Sequence, residues 1–349
     1  MVRLMDRGGV LERFGKLASC LALVLLVGCG QSSQPAGVSA SGSPTSTLAV
    51  GVFGRCRLPV IVPHTRTQDD PRAGWLDVPA GTYSPDPSSN LAGATMLAWD
   101  AGVGKWVPTE PQFISPDGMS YVAENVPGIE IVDARTGDIV QRTPTGELFF
   151  RAVGYTRSAV YLVSSGQSSQ PGLWKVDNAS GKLTQLSSAK GDWEVVDDTA
   201  AWGTSTTPDN IVTVKRLDLS TGVVTDVYRP ADLSPGVLVV GFAGAGVLVI
   251  SSHNGGGGNE LSSVVVVHPD GSVAPVDVPP ALQHAAPPTS WLQDGPAVLF
   301  NTSYPLDWPQ PPAGLHGWGL AAFDPGHGLQ LLMKNTPADM VLLGRCISP

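Results

Sequence analysis

The chain has little of what usually announces a mechanism or a membrane span. Of 349 residues, 15% are charged and four are cysteine. The apolar run Leu17 to Gly28 has twelve residues, too few to cross about 30 Å of hydrocarbon at 1.5 Å per residue. No stretch after residue 28 keeps a 3.6-residue apolar period for three turns, so few helices are expected. His64, His253, His268, His284, His316 and His327 form no His-x-x-x-His pair, and Cys-x-x-Cys is missing, which removes the usual zinc spacings. There is no Gly-x-Ser-x-Gly elbow, and Gly255 to Gly258 lack the Lys-Ser/Thr ending of a phosphate loop. No catalytic residue, metal or cofactor follows from these patterns.

What is present begins with a leader. Arg3, Arg7, Arg13 and Lys16 precede the apolar run, the order of a secretory signal. Its end, Leu26-Val27-Gly28-Cys29, resembles the bacterial lipobox. The resemblance implies diacylglycerol on the Cys29 thiol, cleavage before it and acylation of the new amino group; an ordinary secretory signal is the alternative. From Gly30 to Thr47 the chain is rich in Ser, Gly and Pro, too poor in apolar bulk to offset its ordering entropy. The expected organisation is a lipoprotein signal peptide at 1–28, a tether at 29–48 and one folded domain at 49–349, held by lipid on the extracytoplasmic side of a bacterial cell membrane.

The formal net charge is −9, and removing residues 1–28 takes four basic and two acidic groups and leaves −11. An acidic body repels phosphate backbones, which disfavours nucleic acid as a partner. Cys20 leaves with the leader and Cys29 takes lipid, so Cys56 and Cys346 remain in an oxidising compartment and are expected to pair. They occupy similar settings, Gly54-Arg55-Cys56 and Gly344-Arg345-Cys346. The bridge would bring the two ends of the domain together.

One pattern recurs along the chain: an apolar run, usually an Asp, a few turn residues, a Gly, then another apolar run. Copies run from Asp100 to Gly104, Asp133 to Gly137, Asp177 to Gly181, Asp218 to Gly222, Val266 to Gly271 and Asp324 to Gly328. The glycines are spaced by 33, 44, 41, 49 and 57 residues, mostly near the length of a four-stranded propeller blade. Asp caps the backbone two residues on, and Gly supplies the positive φ that reverses the chain, so each copy is a hairpin. Ser115-Pro116-Asp117-Gly118 followed by Tyr121-Val122 resembles the TolB-like and WD-type β-propeller repeats. That resemblance implies an all-β fold and carries over no catalytic residue. The expected architecture is a single β-propeller of six four-stranded blades, the first built from Met340 to Leu343 and a strand around Cys56 to Val62. Five or seven blades, or two β sandwiches, are the alternatives, and the 33-residue spacing is the misfit.

Two insertions are the candidate binding loops. Residues 304–312 carry Tyr304, Asp307 and Trp308 on a proline-stiffened segment, with Trp318 nearby; residues 64–90 carry Asp69, Asp70 and Trp75. Aromatic groups on stiff loops suit sugar rings or protein partners. The expected function is a monomeric, lipid-anchored binding module for a protein or cell-envelope component. An enzyme on glycan or envelope substrates with a site in the funnel, and a structural subunit of an envelope assembly, are the alternatives.

Overall fold

The computed structural model describes residues 54–62, 73–125, 128–146, 148, 150–164, 171–230, 236–255, 258–305, 316–337 and 340–348. Runs rich in Val, Leu and Trp between Asp-Gly turns become antiparallel strands, as their fit to a half-buried pleated surface dictates. The first blade holds β1 (Cys56–Ile61), β2 (Gly74–Val78) and β3 (Tyr83–Pro85). A separate hairpin follows, β4 (Ala98–Asp100) and β5 (Lys105–Val107). The second blade has β6 (Ser120–Asn125), β7 (Gly128–Asp133) and β8 (Ile139–Pro144). The third has β9 (Phe150–Tyr155), β10 (Ala159–Ser164), β11 (Leu173–Asp177) and β12 (Leu183–Ser187). The fourth has β13 (Asp192–Val196), β14 (Ala200–Thr206), β15 (Val212–Asp218) and β16 (Val224–Tyr228). The fifth has β17 (Gly236–Ala243), β18 (Gly246–Gly255), β19 (Gly258–Val267) and β20 (Val273–Pro275). The sixth has β21 (Ser290–Asp294), β22 (Ala297–Pro305), β23 (His316–Asp324) and β24 (Gly328–Lys334), and β25 (Val341–Leu342) returns to the first.

The chain is a six-bladed β-propeller. Its second blade is short of one strand, with Ile114 bridged to Tyr121 where a first strand would lie. Among the described residues no helix is long and apolar enough to cross a membrane. The core is divided among the seams between sheets. Leu58, Leu76 and Leu342 meet Leu299 and Leu320 between the first and sixth blades, and Ile250, Val264 and Leu282 meet Phe300 and Phe323 between the fifth and sixth. At about 1.5–3 kcal/mol for each fully buried side chain of this size, these seams hold the ring.

The structure corrects one part of the repeat. The turn from Asp100 to Gly104 belongs to the two-stranded β4–β5 sheet, not to a blade. The outer turn of the first blade is Asp77 to Gly81, where the Gly81 N–H donates to the Asp77 carbonyl at 2.7 Å. Val78-Pro79-Ala80 fills this turn in place of polar turn formers, which hid it. The misfit spacing is therefore the distance from an inserted hairpin to the next blade. The hairpin is a wedge. Trp99 and Trp106 pack on Trp75, with centroids 4.7 and 5.7 Å away, and the indole N–H groups of Trp75 and Trp106 both donate to Asp86 at 3.0 Å. Its Ala98 and Val107 pack with Tyr121 and Val132 of the second blade.

At the closure, β25 pairs with β1 through Val60 opposite Leu342 and Ile61 opposite Val341. The Leu343 N–H donates to the Pro59 carbonyl at 2.8 Å, and Arg57 and Ile347 exchange bonds at 2.8 and 3.0 Å. Cys56 and Cys346 are joined by a disulfide with Cα atoms 5.5 Å apart. Elsewhere a tight connection such as Tyr155 to Ala159 joins a blade's first two strands. In the first blade those strands come from opposite ends of the chain, and the disulfide stands in the turn's place.

The bridge spans 290 residues of sequence, so replacing both cysteines with serine is expected to lower unfolding free energy by about 3–5 kcal/mol. Denaturant melts of the two proteins check this. Coincident curves would show that the ladder alone holds the seam.

Candidate functional site

A four-stranded meander sends alternate connections to opposite faces of the disc. One face carries the first-to-second and third-to-fourth turns of each blade, and the other carries the second-to-third connections and the crossings between blades. On the turn face the aspartates are occupied by their own turns. Asp218 Oδ1 accepts from the amides and hydroxyls of Ser220 and Thr221, and Asp177 Oδ1 accepts from the Ser180 amide and hydroxyl. These bonds, with the Ser220 and Ser180 hydroxyls foremost, hold both carboxyls below the usual carboxylate range. Asp197 Oδ1 accepts from the Thr199 and Ala200 amides at 2.6 and 2.8 Å, and Asp198 accepts from the Ser158 hydroxyl at 2.9 Å. The recurring aspartates shape turns.

The opposite face is built differently. The first strands β9, β13, β17, β21 and β25 stand side by side, and their opening residues lie on this face. Arg151 and Asp192 are exposed there, as are the large apolar groups Trp291 at 37% and Val341 at 39%. The Arg151 guanidinium donates to the Trp193 carbonyl at 3.4 Å. A cation, a carboxylate and an aromatic ring are thus exposed on one face.

Just inside lies Glu194, which pattern reading passed over. It interrupts the apolar run Trp193-Glu194-Val195-Val196, and a charge inside such a run was the available signal. Alternation in β13 sends Trp193 into the seam with the third blade and turns Glu194 toward the fifth. There its Oε2 accepts from the Val239 N–H and its Oε1 from the Thr204 hydroxyl at 3.1 Å. Burial raises the Glu194 pKa to about 7, against the pull of those two hydrogen bonds. A matching bond crosses the next seam, where Gln293 Oε1 accepts from the Phe242 N–H at 2.8 Å. Polar side chains therefore bridge neighbouring first strands.

The residues read from sequence are dispersed. Trp75 lies in β2, buried in the tryptophan cluster and not on a loop. Trp318 is in β23, opposite Ser303 and partly buried. Tyr304 is in β22 near its end, and its side chain lies outside the described residues, as do Cys29, Asp69, Asp70, Asp307 and Trp308. The 64–90 segment is not one loop, because its apolar Gly74-Trp75-Leu76 and Tyr83-Ser84-Pro85 runs pair as β2 and β3 of the first blade; the connection before β2 follows the second strand β1, and the residues after Pro305 follow the second strand β22. Their bases therefore stand on the loop face, in neighbouring blades.

Several solved β-propellers are similar to the chain. A TolB-like protein from Agrobacterium tumefaciens superposes with a TM-score of 0.45 at 13% identity, covering 83% of this chain and 93% of its own. An oligogalacturonate lyase from Vibrio parahaemolyticus gives 0.44 at 13% identity, covering 68% and 71%. Prolyl oligopeptidase B from Galerina marginata gives 0.47 at 11% identity, covering 76% of this chain and 47% of that one. These likenesses concern architecture alone. No family model matches the chain, and no curated protein matches it.

Because burial raises the Glu194 pKa from its ordinary 4.5 to about 7 in the folded protein, the ionised form costs native stability. The cost is absent below about pH 4.5 and complete above about pH 7. Glu194→Gln keeps an oxygen for Val239 and an amide for the rotatable Thr204 hydroxyl. It is expected to raise Tm at pH 8 by several degrees, on a scale of about 2–4 °C per kcal/mol, and to leave Tm at pH 4 unchanged. Thermal melts at the two pH values check it; an equal gain at both would assign the effect to packing.

Proposed function

We propose that the protein is a lipid-anchored extracytoplasmic β-propeller that binds a protein or cell-envelope component through its loop face. The observation that carries this reading is the contrast between the faces: one consists of short self-satisfied turns, the other exposes Arg151, Asp192, Trp291 and Val341 and carries the second-to-third connections. Rigid scaffolds presenting variable loops are the usual platform for recognition. The first described strand, β1, begins at Cys56 on the turn face, opposite this surface. Anchoring is read from Leu26-Val27-Gly28-Cys29, where several acyl chains at about 0.8 kcal/mol per buried methylene would hold firmly.

The enzyme alternative draws on the charges of Arg151 and Asp192 acting on Glu194. Both Glu194 oxygens are engaged in the seam, which favours a structural role for this carboxyl and leaves binding as the better reading.

Cys29→Ser is expected to move the protein from the membrane fraction to the soluble extracytoplasmic fraction, read by immunoblot. Affinity capture from envelope extract compares the parent chain with Trp291→Ala/Arg151→Glu and with a chain lacking residues 304–312. Loss of the captured component in either variant, with an unchanged melting curve, supports the loop face. Capture unaltered in both refutes it.

A further inference from the structure

We propose that Glu194 couples the binding of an anionic group at Arg151, on the loop face, to the uptake of a proton. The inference rests on the recognition surface proposed above and adds how that surface responds to pH. Glu194 is the unpaired residue of a β-bulge: Trp193 pairs with Gly203 and Val195 with Trp202, which leaves no partner for the residue between them. Bulges re-aim a side chain and gather next to functional sites. Here the carboxyl accepts from the Val239 N–H of the fifth blade and from the Thr204 hydroxyl of its own. Arg151 approaches from the third blade, where its exposed guanidinium donates to the Trp193 carbonyl at 3.4 Å. That carbonyl belongs to the same peptide group as the Glu194 nitrogen. Among the described residues Arg151 forms no ion pair, and one long bond to a neutral carbonyl leaves most of its five donors open.

The surroundings of Glu194 limit what can set its charge. Of the strands packed on β13, β14 and β17 carry no titratable side chain. β10 brings Tyr161, which meets Ser158 on the turn face, and β9 brings Tyr155, bonded to Ser120 at 2.9 Å, together with Arg151. The charges that act on the carboxyl are Asp192, which favours its neutral form, and Arg151, which favours the ionised form. Burial brings the Glu194 pKa to about 7, so both forms are populated near neutral pH. The seam accepts either form: Val239 needs only an acceptor oxygen, and the Thr204 hydroxyl can donate to the carboxylate or accept from the acid. An anion on Arg151 cancels the charge that favours ionisation, and Glu194 then takes up a proton. By reciprocity, protonation tightens the hold on the anion. A partner's carboxylate or phosphate therefore binds more firmly in mildly acidic surroundings.

Carbon-13 NMR titration of the full chain in detergent, labelled at the glutamate carboxyls and with the Glu194 signal assigned from Glu194→Gln, tests the coupling. The parent midpoint is expected at about pH 7, higher in Arg151→Gln and lower in Asp192→Asn, with melting curves to confirm that the variants fold. Sodium acetate and dimethyl phosphate serve as the carboxylate and phosphate probes. At least one is expected to raise the parent midpoint by about half a pH unit, hence to bind about two- to threefold tighter at pH 6 than at pH 8, and to leave the Arg151→Gln midpoint unmoved. The probe with the larger effect identifies the anion that the surface favours. A midpoint indifferent to Arg151→Gln, a parent midpoint that neither probe moves, or an equal rise in Arg151→Gln would overturn the coupling. No envelope component enters this titration, so its failure leaves the capture result on the loop face standing, and failed capture leaves a measured coupling intact.

Discussion

The closure of the ring is the constraint on which the rest depends. Each blade packs only on its neighbours, so stability passes from seam to seam, and a single open seam leaves two faces bare to water. At that seam β25 lies against β1, the backbone ladder runs on to Ile347, and Cys56 is bonded to Cys346. Asp294 of the sixth blade accepts from the Cys346 N–H at 2.9 Å, and the Leu342 N–H donates to the Ser290 hydroxyl at 3.0 Å. The last strand is thus tied to its neighbours on both sides. It also removes an edge that would otherwise invite pairing with another chain.

Closure fixes the faces, and the faces divide the labour. Connections on the turn face are short and internally satisfied, with aspartate oxygens turned back onto their own amides. The loop face receives the second-to-third connections, and on it Arg151, Asp192 and Trp291 stand on first strands packed against their neighbours. Bonds such as those from Val239 to Glu194 and from Phe242 to Gln293 keep the first strands in register around the axis. The rim is positioned by the same polar bridges that hold the blades.

Much of the architecture was legible because a turn is local chemistry. Asp133, Asp177, Asp218 and Asp324 act within a few residues of themselves, so the hairpins could be read in place, and the paired Gly-Arg-Cys segments pointed to the seam. The wedge was misread for the same reason: Asp100 and Gly104 make the same local turn whether their hairpin belongs to a blade or lies between two. Only the packing of Trp99 and Trp106 on Trp75, with the indoles of Trp75 and Trp106 both bonded to Asp86, distinguishes the cases. Glu194 was missed because its partners, Thr204 and Val239, lie on other strands. Long-range pairing made these sites, and spacing alone does not record it.

Hydrogen exchange on a chain ending at residue 337, without β25 and the last cysteine, tests the central role of closure most directly. If the seam governs the whole ring, amide protection falls together in all six blades. Loosening confined to the first blade, with the others still protected as in the intact chain, would contradict the account.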